Sequence, residues 1–229
     1  TLFRSRLRVL FPTKLHVEQH EADSIFEVVT RPNTVAKDWE NPTNPQHQHA
    51  FTHLEDQTYG VTIGNYGLNE YEIVDDGVIA LTLLRCVGEL GDWGYFPTPE
   101  AQCLGEHRFN YSIEVQPTAE KFVSYQHAYA AQIPFSTKQL EKQKGTLPQK
   151  NQYLSCTGET FAITALKRSK FSDKVVVRGF NMSSHLEKLQ IEKNGQSGHL
   201  LNLLEETWEE TVDPNLKPYE IRTIGFKEE

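Results

Sequence analysis

The sequence is poor in cysteine and methionine, with Cys86, Cys103, Cys156 and the single Met182 among 229 residues. Three widely spaced thiols make neither a disulfide framework nor a Cys-x-x-Cys metal knuckle, so they read as buried or idle side chains in a reducing setting. Long apolar runs are missing too. Nothing approaches the about eighteen residues of a membrane-spanning helix, and the N-terminus lacks the apolar core of a secretory signal. The expectation is a cytoplasmic protein with no membrane contact. Positive charge is in deficit: 23 Lys and Arg against 31 Asp and Glu give a formal charge of −8 and a pI near 5.6. That balance opposes a nucleic-acid partner, because such proteins neutralise phosphates with clustered bases. The patterns Gly-x-Ser-x-Gly, His-Glu-x-x-His, Gly-x-Gly-x-x-Gly and the P-loop are absent, so no complete active site is visible.

What is present is enough apolar residue to bury a core, 38% hydrophobic and 10% aromatic, as one large all-β domain or two smaller ones. Leu7, Val9 and Phe11 alternate with Arg4, Arg6 and Arg8 from the first residues, the period of a strand. No initiator Met precedes them, which points to a fragment. Further strands are expected at 25–30, 59–64, 71–74, 78–87 and 108–115, then at 161–167, 174–180, 185–191 and 220–226, each bounded by turn residues. Asp76-Gly77 supplies a tight hairpin turn between Tyr71 and Arg85. One short helix is expected within 119–131, from the spacing of Phe122, Val123, Tyr129 and Ala130. The polar stretch 136–152, rich in Lys and Gln, reads as a linker or exposed loop. The fold class is all-β, ending in a small β-sandwich.

Four constellations carry a chemical reading. His47, His49 and His53 form a His-x-His-x-x-x-His cluster, a possible metal set. Pro42 and Pro45 among polar residues favour a solvated loop instead, so no metal is expected in this chain. Glu70 and Glu72 would share one face of a strand, as a carboxylate pair for glycoside cleavage or as an ordinary solvated pair, the second being the better reading. Glu205-Glu206 and Glu209-Glu210 around Trp208 read as an exposed acidic stretch. The loop Gly91-Asp92-Trp93-Gly94-Tyr95-Phe96-Pro97 has the composition either of a sugar-stacking platform or of an apolar plug at a sheet end.

Several strings, in order and along nearly the whole chain, resemble the C-terminal β region of glycoside hydrolase family 38 α-mannosidases, in particular bacterial members similar to mannosylglycerate hydrolase. They are Leu7-Arg8-Val9-Leu10-Phe11-Pro12, Thr30-Arg31-Pro32, Gly67-Leu68-Asn69-Glu70-Tyr71-Glu72, Ile79-Ala80-Leu81-Thr82-Leu83-Leu84-Arg85, Ala101-Gln102-Cys103-Leu104-Gly105 and the closing run Leu216 to Ile224. The resemblance implies a large antiparallel β supersandwich over 1–151 and a smaller β-sandwich over 152–229. It implies a retaining enzyme whose aspartate nucleophile and zinc belong to an N-terminal catalytic domain absent from this chain. No catalytic residue and no cofactor are then expected here. The partners implied are an α-mannoside, that catalytic domain of the same polypeptide, and a further copy in a homo-oligomer of the parent. The loop holding Asp92, Trp93 and Tyr95 matches a substrate-facing loop of the family, with Asn65 and Tyr66 flanking the same cleft. The family's Arg in that loop has no counterpart here, so only the position of the loop carries over. Two other readings stand beside this one: a free-standing carbohydrate-binding sandwich, and a complete small enzyme using Glu70 and Glu72.

Overall fold

Alternating apolar residues become antiparallel strands along most of the chain. The computed structural model describes residues 5–35, 44–75, 77–90, 96–142, 144–146, 148–209 and 211–227, the last three residues of 148–209 by their backbone alone. The chain divides into two compact units, Thr1–Ser124 and Tyr125–Glu229. The 151/152 boundary read from the sequence falls instead near the end of an irregular, exposed stretch that precedes the next strand at Leu154.

In the first unit the strands are β1 (Ser5–Pro12), β2 (Gln19–Asp23), β3 (Val28–Pro32), β4 (Gln46–His47), β5 (Phe51–Glu55), β6 (Tyr59–Asn65), β7 (Glu70–Val74), β8 (Val78–Cys86), β9 (Glu89–Leu90), β10 (Phe96–Pro97) and β11 (Tyr111–Pro117). They form a four-stranded sheet in the order β1-β8-β7-β4, a five-stranded sheet in the order β11-β6-β5-β2-β3, and the small ribbon β9-β10. The core lies between the two larger sheets, with Tyr71, Ile73, Ile79 and Leu81 from one and Ala22, Leu54, Val61 and Ile63 from the other. Side-chain alternation along β1 sends Val9 and Phe11 into that core, while Arg6 and Arg8 take the opposite face.

The hairpin read at 71–85 is present, with Tyr71 opposite Leu81 and Val74 opposite Val78. Gly77 sits in its turn at φ +134°, and a Cβ there would lie 1.9 Å from the carbonyl oxygen of Leu15, so only glycine fits. Asp76 lies outside the described residues. The strand expected at 25–30 is corrected: Ile25 and Phe26 adopt φ of 36° and 66° in the turn that joins β2 to β3, closed by the Ser24 N–H on the Glu27 carbonyl at 2.8 Å. Apolar residues in a left-handed turn give no turn signal, which is why alternation alone misplaced this strand. The strand expected at 108–115 forms as β11, which starts three residues later and ends two later.

A 3₁₀ turn at Thr118–Glu120 leads into the expected helix, α1 (Lys121–Ala131). The second unit carries β12 (Leu154–Cys156), β13 (Phe161–Arg168), β14 (Lys174–Asn181), β15 (Glu187–Lys188), β16 (Ile191–Lys193), β17 (Gln196–Ser197), β18 (His199–Leu201), β19 (Thr207–Glu209), β20 (Asn215–Leu216) and β21 (Ile221–Lys227). A five-stranded sheet, β13-β14-β21-β18-β19, faces a core shared with β16 and β20, in which Val175, Val177, Ile224 and Phe226 pack with Leu189, Ile191 and Leu216. The Val175-Val176-Val177 run is buried on both faces of β14, and Phe180 meets the ring of Tyr129 on α1 edge-on at 6.3 Å.

Candidate functional site

The expected cleft-flanking residues come at the end of β6, and the structure gives the two neighbours different roles. Asn65 is buried, its Nδ2 donating to the His49 carbonyl at 3.1 Å and its Oδ1 accepting the Leu68 N–H at 2.9 Å. It shapes the turn that precedes β7. Tyr66 stands out to solvent at 58% exposure, anchored by its N–H on the Asn110 carbonyl at 3.2 Å and followed by Gly67 at φ +72°. Asp92, Trp93 and Tyr95 lie outside the described residues.

Glu70 and Glu72 do share the outer face of β7, and arginines occupy both. Arg85 Nη1 lies 2.9 Å from one Glu70 oxygen, Thr82 Oγ1 donates to the other at 2.9 Å, and Arg6 Nε stands 3.4 Å away. Glu72 pairs with Arg8 and, at 3.7 Å, with Arg6. Carboxylates held this way brace neighbouring strands.

The three histidines separate. His47 on β4 is exposed, with Nε2 3.1 Å from Ser24 Oγ and Nδ1 3.4 Å from the Arg31 guanidinium, a cationic neighbour hostile to a metal ion. His49 joins the main chain to Asp23 through its N–H, at 2.8 Å. His53 is fully buried in β5, so the solvated-loop expectation is corrected for this residue: the loop ends before Phe51, and the strand carries His53 inward. Among the described residues no group of three His, Cys, Asp or Glu side chains is placed to hold a metal.

The polar layer around His53 escaped the sequence reading. Register places Thr30, Glu21, His53, Thr62 and Glu114 in one row across the five-stranded sheet, on the face away from the core. His53 Nδ1 lies 2.9 Å from Thr62 Oγ1, Thr62 Oγ1 lies 2.6 Å from Ser124 Oγ, and Ser124 donates to the Lys121 carbonyl at 2.7 Å. His53 Nε2 lies 3.3 Å from Glu55, and Lys121 Nζ bridges Glu55 and Glu21 at 2.9 Å each. Burial pushes the Glu55 carboxyl up, but hydrogen bonds from His53 and Lys121 outweigh it and hold the group below the usual range. Burial likewise pushes Lys121 down, and the two carboxylates more than offset it. The i, i+2 pair His53 and Glu55 was the available signal, readable once Phe51–Glu55 is taken as a strand.

A cavity of about 530 Å³ opens beside this layer, with Glu18, Glu21, Glu55, His20 and His53 in its wall. His20 is neutral there: its Nδ1 donates to Asn33 Oδ1 at 2.6 Å, and its Nε2 accepts the Tyr71 hydroxyl at 2.6 Å. Burial, with the nearby Arg31 charge and against the Asn33 hydrogen bond, brings its pKa from 6.5 to about 4. Arg31 in turn donates to the Tyr71 oxygen at 3.0 Å. The described residues of this region hydrogen-bond and brace; they do not assemble a nucleophile with a proton donor.

Residues 3–89 match the family described as glycosyl hydrolases family 38 C-terminal domain, and residues 160–224 match the glycosyl hydrolases family 38 C-terminal beta sandwich domain. A Halalkalibacterium halodurans protein provisionally named a mannosylglycerate hydrolase is 38% identical over 97% of this chain, which covers 25% of it. The crystal structure of an alpha-mannosidase from Enterococcus faecalis V583 superposes with a TM-score of 0.87 at 52% identity over 97% of this chain and 26% of that one. A second Enterococcus faecalis structure, of a family 38 glycosyl hydrolase, gives 0.84 and 50% with the same coverage. The chain therefore spans about a quarter of the length of these relatives. Two sandwich units, two consecutive family matches and a close structural likeness make this chain a C-terminal β region of glycoside hydrolase family 38.

Proposed function

We propose that the chain is the accessory, cleft-completing portion of an α-mannosidase, and that hydrolysis of the α-mannoside takes place in a catalytic domain of the same polypeptide. The observation that carries this is the 52% identity and 0.87 TM-score to one quarter of an Enterococcus alpha-mannosidase. The site chemistry is consistent with it, since the paired carboxylates Glu70 and Glu72 are consumed by arginines. In this reading the catalytic domain holds the zinc and an aspartate nucleophile and acts with retention. The parent is a cytoplasmic enzyme able to form homo-oligomers. Asp92, Trp93 and Tyr95, with exposed Tyr66, line the sugar-binding rim.

The test is hydrolysis of an aryl α-mannoside by the parent polypeptide, followed by proton NMR. The α-anomer of mannose is expected first, and zinc chelation should abolish turnover. In the same assay Trp93→Ala should raise KM about 10-fold with little change in kcat, because a stacking platform binds ground and transition state alike. A parent that leaves α-mannosides intact would remove the mannosidase reading, and unchanged KM in the Trp93 variant would remove the rim assignment.

A further inference from the structure

The second unit carries an apolar groove and, a few residues along the same chain, an exposed apolar segment. The groove is a cavity of about 570 Å³ between α1 and β13, walled by Tyr129, Ala130 and Ile133 on one side and Ile163, Ala165 and Leu166 on the other. That size and lining suit a preformed binding cleft. β13 is the last strand of its sheet among the described residues, and its register with β14 shifts between Ile163 and Ala165. Such a bulge opposes main-chain pairing with a further strand, so the groove is fitted to side chains instead.

The exposed segment begins where α1 stops. The Ile133 N–H reaches the Ala130 carbonyl at 3.0 Å, and Pro134, which has no N–H, cannot extend the helix. Residues 133–142 are exposed throughout, with Phe135 at 101% and Leu140 at 60%. Taking a phenylalanine out of water is among the larger gains one side chain offers. Its own groove is poorly placed to supply that gain. Only Pro134 separates Phe135 from Ile133, which already forms the wall, and proline restricts both its own backbone and that of the residue before it.

Charge gives the pairing a direction. Past Phe135 come Lys138, Lys142 and Lys144 against the single Glu141. The Gly158 end of the groove is followed by exposed Glu159, and Glu187 stands beside it, accepting from Thr160 at 3.2 Å. Lys167 and Arg168 follow Leu166 at the other end. We propose that the segment from Phe135 onward is an arm that enters this groove on a second copy of the chain, each copy giving one arm and receiving one about a two-fold axis, with the lysines toward Glu159 and Glu187. Phe135 and Leu140 would bury roughly 350 Å² and cover a similar area of groove. Doubled by symmetry this is about 1,400 Å², within the range of a stable interface. The inference rests on the reading of the parent as a homo-oligomer and gives that oligomer its contact.

The experiment uses the full-length parent, followed by sedimentation velocity over a concentration series. A dimer is expected, and Phe135→Ser or Ala130→Arg should weaken it at least ~30-fold, as loss of an aromatic anchor or of its seat does. Both positions are exposed in the single copy, and thermal melts check that the fold is kept. Contact is read separately in a Thr137→Cys variant that keeps Phe135. Light and isotope-labelled preparations are mixed while dilute, concentrated and treated with a short bismaleimide. Peptide mass spectrometry should find position 137 joined to Cys156, one peptide light and the other heavy. A monomeric parent removes the arm and the homo-oligomer reading together, whereas an oligomer indifferent to both substitutions keeps that reading and removes the arm. A link found only within one label means that the chain seats its own arm, and no link to Cys156 means that something else covers the groove; either result overturns the proposal.

Discussion

Both units bury an antiparallel sheet against a second layer, but they distribute their polar groups differently. In the first, His20 and Tyr71 are buried together and joined to Arg31 and Asn33, and His53 is buried beneath Lys121 and Ser124. In the second, the core is aliphatic and aromatic, and Asn181 and Arg222 at its margin satisfy main-chain carbonyls. Asn181 donates to His185 and Lys217 at 2.7 and 3.1 Å, and Arg222 to Asn215 at 2.9 Å. An amide never titrates and a guanidinium stays charged, whereas an imidazole changes charge near neutrality. A buried imidazole therefore gives the first unit a pH response between 6.5 and about 4 that the amide and guanidinium of the second do not have.

The largest effect that sharpens this contrast is in the apolar unit. Phe226 is fully buried among Val175, Ile224 and Leu216, and Phe226→Ala should cost about 3–5 kcal/mol through lost burial and a residual cavity. Urea denaturation, with hydrogen exchange in β14 and β21, measures it. A loss below about 1 kcal/mol would mean that this core is far looser than its burial indicates.

Next comes pH. The His20 imidazole titrates near 6.5 when unfolded and about 4 when folded, so between those values the unfolded chain binds the extra proton. Stability from this group is fully present above pH 6.5, falls as pH drops, and is lost entirely below 4, by up to about 3 kcal/mol. Exchange in β2 and β7 should quicken across that window while β14 stays slow, and His20→Gln should flatten the response. An equal slope in both units would break the comparison.

The smallest effect is on the outer face of β7. Glu72 is partly exposed and paired with Arg6 and Arg8, so Glu72→Gln should cost less than about 1 kcal/mol, shrinking further in high salt. A salt-independent loss of several kcal/mol in thermal melts would make this pair a buried determinant instead.

How much was legible follows from what each signal contains. Period-two alternation located β1, β6, β7, β8, β13, β14 and β21, because each has one or both faces in a core. The same signal failed at Ile25 and Phe26, where turn geometry is carried by residues that do not announce it. It also overlooked β5: in Phe51-Thr52-His53-Leu54-Glu55 the polar residues are buried on the second face, so polarity suggested solvent where the fold places a hydrogen-bonded layer. For the site, the bracing of Glu70 and Glu72 was readable as an ordinary pair on one strand face, but their arginines come from β1 and β8, far apart in sequence. Contacts across a sheet depend on register, which composition does not encode.

The central claim, that this chain belongs to the mannosidase reaction without holding its chemistry, is tested most directly by assaying the 229-residue chain and the parent side by side on an aryl α-mannoside. The account predicts turnover by the parent and none above buffer by the chain alone. Turnover by the chain that persists after repurification and disappears in a Glu70→Gln, Glu72→Gln double variant would contradict it, because a complete active site would then lie within these strands.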